Sequence, residues 1–222
     1  GVQTGTDWTN NANYAFDTAC YVGSSGSHPS QSMAGHIEDF RFTKGLSRYP
    51  FAPLKETLTP TTSWQGGKTV GGSGGHTKII CCHSATLTSD ASATNRTLVV
   101  NMTNATHSNY SPGGDMKSVY FDGTTDYISA NTSTSDFVLG TGDYTFETWV
   151  NFKSFPQTVN TLAGTTISAG GSVLYWHAKS TGFTMGTQNV WIRNEANFSW
   201  VLKTWYHVAA CRISGVTKQF IN

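Results

Sequence analysis

"GHIEDFRFTKG", Gly35 to Gly45, places Ile37, Asp39 and Arg41 in alternation with Glu38, Phe40 and Phe42. Alternation of that kind predicts a β-strand with two unlike faces. The stretches around it read the same way. Upstream lies "YAFDTACYVG", and downstream come "TKIICCHS", "TLVVNMT", "SVYFDG", "DYISA", "YTFETWVNF", "SVLYWHA", "NVWIRNE" and "WYHVAACRIS". These are short runs rich in β-branched and aromatic residues, separated by Gly, Asn, Ser and Thr. No segment longer than a turn or two carries a helical period. The expected architecture is all-β and antiparallel, with two sheets packed face to face as a sandwich.

The chain has 222 residues, room for one sandwich-sized domain or two small ones. Its formal charge of +1 leaves no basic surface to capture nucleic acid or an anionic membrane. No apolar run reaches the length of a bilayer span, so membrane insertion is not expected. Between the strands at either end lies "YPFAPLKETLTPTTSWQGGKTVGGSGG", heavy in Pro, Thr and Gly and without a periodic apolar face. Residues 55–76 therefore read as a linker.

The outermost residues have a relation of their own. Val216 to Asn222 is "VTKQFIN" and Gly1 to Thr6 is "GVQTGT", so writing the end onto the beginning makes an Asn-Gly turn between two strand-like runs. Asn-Gly is the favoured pair for a two-residue hairpin loop, because both positions need φ > 0. Asn222 and Gly1 are accordingly expected to form a junction between neighbouring copies, with the 222 residues as one period of a tandem array.

The phrases "SVYFDGTTDYIS", "FVLGTGDYTFETWVNF", "TWYHVAACRI", "QFIN" joined to "GVQTGT", and "GHIEDFRFTKGLSRY" together resemble the laminin-G-like, concanavalin A-like sandwich of phage fibres and large repetitive surface proteins. In that family they run from "SVYFDG" to "EDFRFTKG". Here the finishing phrase comes first, so the phase is permuted. The resemblance divides the chain into residues 1–54, the C-terminal quarter of one sandwich, and residues 77–222, the N-terminal three quarters of the next. It implies a non-enzymatic structural or adhesive module of an extracellular filament, the alternative being a glycan-binding lectin domain of a phage tail fibre or virion surface. The partners it implies are neighbouring copies and cell-surface glycans.

Sites follow from the same reading. Sandwich glycanases place two carboxylates about 5 Å apart for retaining hydrolysis, whereas "YTFETWVNF" offers Glu147 alone and "NVWIRNEAN" Glu195 alone. The resemblance implies one structural Ca²⁺ near Asp39, Asp122 and Gly123, whose carboxylates and carbonyls are the hard oxygen ligands that ion prefers. Trp176, Trp191 and Trp200, with Trp64, are candidate sugar-stacking residues, while Trp149 and Trp205 read as core and His207 as a packing partner of Trp205. Sequons begin at Asn95, Asn101, Asn104, Asn109, Asn131 and Asn197, acceptors for glycans in a chain secreted by a glycosylating cell. The four cysteines, Cys20, Cys81, Cys82 and Cys211, do not fall into a zinc spacing. They are either bridged in an oxidising setting or buried as free thiols, and on a strand Cys81 and Cys82 would point to opposite faces.

Overall fold

The molecule, seen in a computed structural model, is described over residues 2–9, 13, 19–24, 31–47, 64–65, 68–69, 76–102, 107–112, 117–131, 135–166, 174–187 and 194–221. In chain order the strands are β1 (Val2–Thr9), β2 (Ala19–Val22), β3 (Ala34–Lys44), β4 (Trp64–Gln65), β5 (Lys68–Thr69), β6 (Thr77–Cys81), β7 (Val99–Asn101), β8 (His107–Ser108) and β9 (Ser118–Asp122). They continue as β10 (Tyr127–Asn131), β11 (Tyr144–Ser154), β12 (Asn160–Thr166), β13 (Leu174–Lys179), β14 (Gly182–Thr187), β15 (Asn194–Asn197), β16 (Trp205–Ile213) and β17 (Val216–Ile221). A 3-10 turn spans Ser135–Phe137.

Two sheets face each other. The larger runs β1-β17-β16-β11-β3-β9-β8, with β6 also paired to β3, and the smaller runs β15-β14-β13-β12-β2-β10-β7. Every strand pair is antiparallel. The short hairpin β4-β5 lies in the Pro/Thr/Gly segment that composition marks as linker.

β2 and β3 are interior strands. β3 lies between β11 and β9, and β2 between β12 and β10, so each sheet has its middle filled from residues 19–44. Without them both sheets would split into halves with unpaired backbone edges. β1 pairs with β17 with Val2 opposite Ile221, Gln3 opposite Phe220 and Thr4 opposite Gln219. The register then shifts before Trp8 meets Thr217. Asn222 and Gly1, on which the expected junction falls, lie outside the described residues.

The core between the sheets is aromatic and aliphatic. Phe42 and Phe146 stack at 4.6 Å, and Trp176 faces Phe146 at 6.5 Å from the other sheet. Ile37, Phe40, Phe121, Val150, Phe152, Leu162 and Val208 fill the space around them. At one end Arg212, fully buried, donates from Nε to the Gly142 carbonyl and from its terminal nitrogen to that of Gly140, both at 2.8 Å. These bonds hold the turn that leads into β11.

Strict alternation along β3 fails at one point. Arg41 pairs with Glu147 and Glu38 with Trp149, so Asp39 and Phe40 together oppose Thr148. This is a β-bulge, and Asp39 takes a φ of 49°, in the left-handed region. The extra residue exchanges the faces: Ile37, Phe40 and Phe42 all reach the core, and His36, Glu38 and Arg41 lie on the opposite face. The expected grouping of Ile37 with Asp39 and Arg41 is thereby corrected. Gly35 is required on the same strand, since with φ 149° a Cβ would stand 2.1 Å from the Asn151 carbonyl oxygen.

Candidate functional site

The face of the large sheet turned away from the core is polar, aromatic and largely buried. From β11 it presents Glu147, Trp149 and Asn151; from β3, His36, Glu38 and Arg41; from β16, Trp205 and His207. Each position follows from strand alternation outward from a core neighbour. Arg41 donates from Nε to Glu147 Oε1 at 2.6 Å, and a terminal nitrogen of Arg41 contacts the same oxygen. Both side chains are 2 % exposed. His207 Nε2 lies 3.8 Å from Glu147 Oε2, and its ring meets Trp149 edge to face at 5.3 Å. Burial pushes the His207 imidazole down to about 4, outweighing the pull of Glu147, so it is neutral at pH 7.

Beyond this ion pair lies a second group, organised by Tyr110. Its hydroxyl donates to the Lys203 carbonyl at 3.1 Å and accepts from Asn151 Nδ2 at 3.3 Å. Its ring lies 5.3 Å from His36 and 5.6 Å from Trp205. Its own carbonyl accepts from Ser118 Oγ at 2.7 Å, and Ser118 Oγ is 3.2 Å from His36 Nδ1. Beside it Ser111 donates to Glu38 Oε1 at 3.1 Å, while Glu38 Oε2 is buried without a partner, as is Trp205 Nε1. Desolvation pushes the Glu38 carboxyl up to about 8, so it is a neutral acid at pH 7. Tyr110 itself is 46 % exposed. The result is an aromatic rim over two buried polar atoms with unused hydrogen-bonding capacity.

The other expected sites fall elsewhere. Trp176 is 1 % exposed and belongs to the core, so it presents no face to a ligand. Trp200 is half-buried among Phe152, Phe183, Phe198 and Tyr206, with its Nε1 donating to the Gly182 carbonyl at 3.0 Å. It lines a shallow depression with Ser180, Thr181, Asn197, Phe198 and Ser199. Trp191 lies outside the described residues, and Trp64 stands on β4. Trp149 and Trp205, expected in the core, stand on the outer face instead, because the inward positions of β11 and β16 belong to Val150, Tyr206 and Val208. The nearest ring partners of Trp205 are Tyr110 and His36.

Asp39 and Asp122 are not brought together. Asp122 is opposite Ala34, and Asp39 lies five positions farther along β3, about 15 Å at the usual rise per residue. Asp122 Oδ1 accepts from the Thr124 backbone N–H at 2.8 Å and hydroxyl at 2.6 Å, closing a local turn beside Gly123. Among the described residues no group of three or more His, Cys, Asp or Glu could hold a metal ion. One Ca²⁺ shared by Asp39, Asp122 and Gly123 does not fit these positions.

Of the sequons, Asn95, Asn101, Asn109 and Asn197 are exposed, and Asn109 Oδ1 accepts from Lys117. Asn131 lies on β10, and Asn104 is outside the described residues. The cysteines are free thiols and all are buried. Cys211 packs with Ala209 and Phe220 in a cluster separate from the core that holds Cys20, Cys81 and Cys82.

The segment carrying β10 to β17, residues 122–222, matches the family model of the Concanavalin A-like lectin/glucanases superfamily, laminin-G type. Residues 122–222 are therefore similar to laminin-G-like domains. Comparison with curated proteins and with solved structures gives no match. The matched segment contains neither β2 nor β3, although both run through the middle of the two sheets. The superfamily includes glucanases, and laminin-G-like domains are usually non-catalytic. Among the described residues no helix is long and apolar enough to cross a membrane.

Proposed function

We propose that the protein is a non-enzymatic structural and adhesive module, one period of a tandem-repeat extracellular filament or fibre. The observation that carries this reading is the register of β1 on β17. Val2 opposite Ile221 leaves two residues, Asn222 and Gly1, to span between them, the loop length a type I′ hairpin uses. Copies joined at that loop keep every strand pair of the sandwich. Residues 1–54 of one copy then close the sandwich opened by residues 77–222 of the preceding copy, with residues 55–76 as the spacer. Stability along the fibre is the sum of sandwich cores and nearest-neighbour contacts, as in other repeat proteins.

The outer face supports a non-catalytic role. A general acid or nucleophile must be able to reach substrate, and Glu147 is instead held by Arg41 in a buried ion pair. A chain of three copies, joined Asn222 to Gly1, tests the proposal. It should be monodisperse, with a longest dimension by small-angle scattering that grows linearly with copy number. Aggregation on joining, or melting well below the single copy, would defeat it.

A second reading, glycan recognition on a tail fibre or virion surface, is favoured by the Tyr110, His36 and Trp205 rim above Glu38 Oε2 and Trp205 Nε1. Aromatic faces with a few convergent polar groups are suited to sugars. Titration against an array of glycans decides this reading, with saturable binding that is lost in Tyr110→Ala as the supporting result.

A further inference from the structure

Strand geometry sends the side chains of neighbouring residues to opposite faces, yet Cys81 Sγ and Cys82 Sγ are 3.7 Å apart and both are buried in the core. The cause is local. β6 ends at Cys81, and Cys82 takes a φ of 63°, which turns its side chain back to the side of its predecessor. The expectation that only one of the pair faces the core is corrected by this turn. A left-handed conformation costs a β-carbon residue about 1 kcal/mol and persists only where its surroundings impose it. Here they do. The Cys82 carbonyl accepts the Asp39 N–H of the β3 bulge at 3.2 Å. One residue before the pair, the Ile80 N–H donates to Asp90 Oδ1 at 3.0 Å, and the Ile80 carbonyl accepts the Ala91 N–H at 3.0 Å. Asp90 Oδ1 also accepts the Ser92 N–H at 2.9 Å, so the loop that fixes the strand end is itself fixed.

We propose that Cys81 and Cys82 form a two-electron redox site that closes a vicinal disulfide. Neighbouring Cα atoms are about 3.8 Å apart, nearer than in ordinary disulfides, so the eight-membered ring is tight and readily reduced. What the ring needs from the backbone is two successive side chains on one side, and the turn at Cys82 supplies it. The oxidant is a small-molecule disulfide such as oxidised glutathione. The Cys81 thiolate attacks one glutathione sulfur and releases the first glutathione thiolate. The Cys82 thiolate then attacks the Cys81 sulfur of that mixed disulfide and releases the second. Two electrons pass from the protein to glutathione, and the two thiol protons end on the two glutathione molecules. Both thiols are shut away once the sandwich closes, so the exchange takes place as the chain folds or opens locally.

The measurement is straightforward because the tryptic peptide Ile79–Arg96 contains both cysteines and no other. The full chain is refolded in a mixture of reduced and oxidised glutathione, unfolded, treated with a maleimide and digested. Peptide 79–96 should carry no maleimide and be about 2 Da lighter than its reduced form, having lost two hydrogens. Peptides Gly1–Arg41, with Cys20, and Thr204–Arg212, with Cys211, should be labelled. Cys20→Ala should leave the light peptide unchanged, and Cys81→Ser should abolish it and expose Cys82 to label. Two maleimides on peptide 79–96 after oxidative refolding, or a cross-link from it to Gly1–Arg41, would overturn the proposal. If Cys81→Ser fails to fold, Cys82→Ser gives the same readout from the other partner.

Discussion

β3 shows two ways of burying a strand. On its inner face Ile37, Phe40 and Phe42 meet Phe146, Val119 and Val150, and none of these six side chains titrates. On its outer face Glu38 and Arg41 are as deeply enclosed and His36 is half-buried, yet each is an ionisable group. The inner face gains from area removed from water and asks of its neighbours only that they fill the space. The outer face gains only where each charge finds its partner, because a buried charge without one costs several kcal/mol. One strand therefore carries an unconditional stabiliser and a conditional one. The bulge at Asp39 lets it present both, exchanging the faces midway.

The largest effects should test the unconditional face against the conditional one. Phe42→Ala, deep in the core, should cost roughly 3–5 kcal/mol in urea unfolding. Glu147→Ala should cost a similar amount, roughly 3–5 kcal/mol, by removing the carboxylate that buried Arg41 pairs with. The difference lies in rescue. Adding Arg41→Met to an apolar replacement of Glu147 should restore most of the loss, whereas a distant second substitution will not refill the space left by Phe42. If the double replacement is no better than Glu147→Ala alone, the outer face is not held by that pair.

The next contrast is with pH, to which the inner face is indifferent. His207 has a folded pKa of about 4 against an ordinary 6.5, so the unfolded chain binds the proton first as pH falls. Its contribution is complete above 6.5 and is lost as pH falls towards 4, roughly 3 kcal/mol at most. His36 shifts in the same direction, also to about 4, through burial first and Lys153 second. Glu38 works the other way. Its pKa of about 8 stands above the ordinary 4.5, so its contribution is complete below 4.5 and is lost as pH rises through 8. His207→Gln should flatten the acid limb of the stability profile. Glu38→Gln should flatten the alkaline limb and raise stability at pH 8 by about 1 kcal/mol or more. Unchanged limbs in both variants would mean that neither group is buried as described.

How much of this was legible in the letters depends on whether a local residue overrides the period. The strands and the two-sheet architecture follow from alternation and β-branched composition, and the phrases shared with laminin-G-like domains order them. The interior placement of β2 and β3 was not legible, because position within a sheet is set by long-range pairing that neither strand's own residues report. The face assignments failed where backbone conformation, invisible to alternation, takes over. Asp39 at φ 49° exchanges the two sides of β3, and Cys82 at φ 63° brings together two thiols that a regular strand would separate. Neither is a glycine, so nothing in composition marks the turn. The tryptophans failed differently. Size argues that every one is buried, which does not distinguish Trp176 between the sheets from Trp205 outside them. The Tyr110 group was missed because its members come from β3, β11, β16 and the segment before β9, with no shared motif. The sign that could have raised it is the density of His, Glu and Trp at outward positions of neighbouring strands.

The smallest effect is the most informative about function. Tyr110 joins the Lys203 carbonyl, Asn151 and the His36 and Trp205 rings while leaving almost half of its surface to solvent. Tyr110→Phe keeps the ring and removes two hydrogen bonds at a site that water can reach, so stability should fall by only about 0.5–1 kcal/mol. If the rim serves only to cover the outer face, thermal and urea unfolding will record that small change and binding assays will record nothing. If it is a recognition surface, the hydroxyl sets the tilt of the ring over Glu38 and Trp205. Ligand affinity should then fall tenfold or more, about 1.4 kcal/mol, beyond the loss in stability, while Phe42→Met in the core leaves affinity untouched. Affinity that follows global stability equally in both variants would place Tyr110 among the structural residues and remove the outer face from the recognition reading.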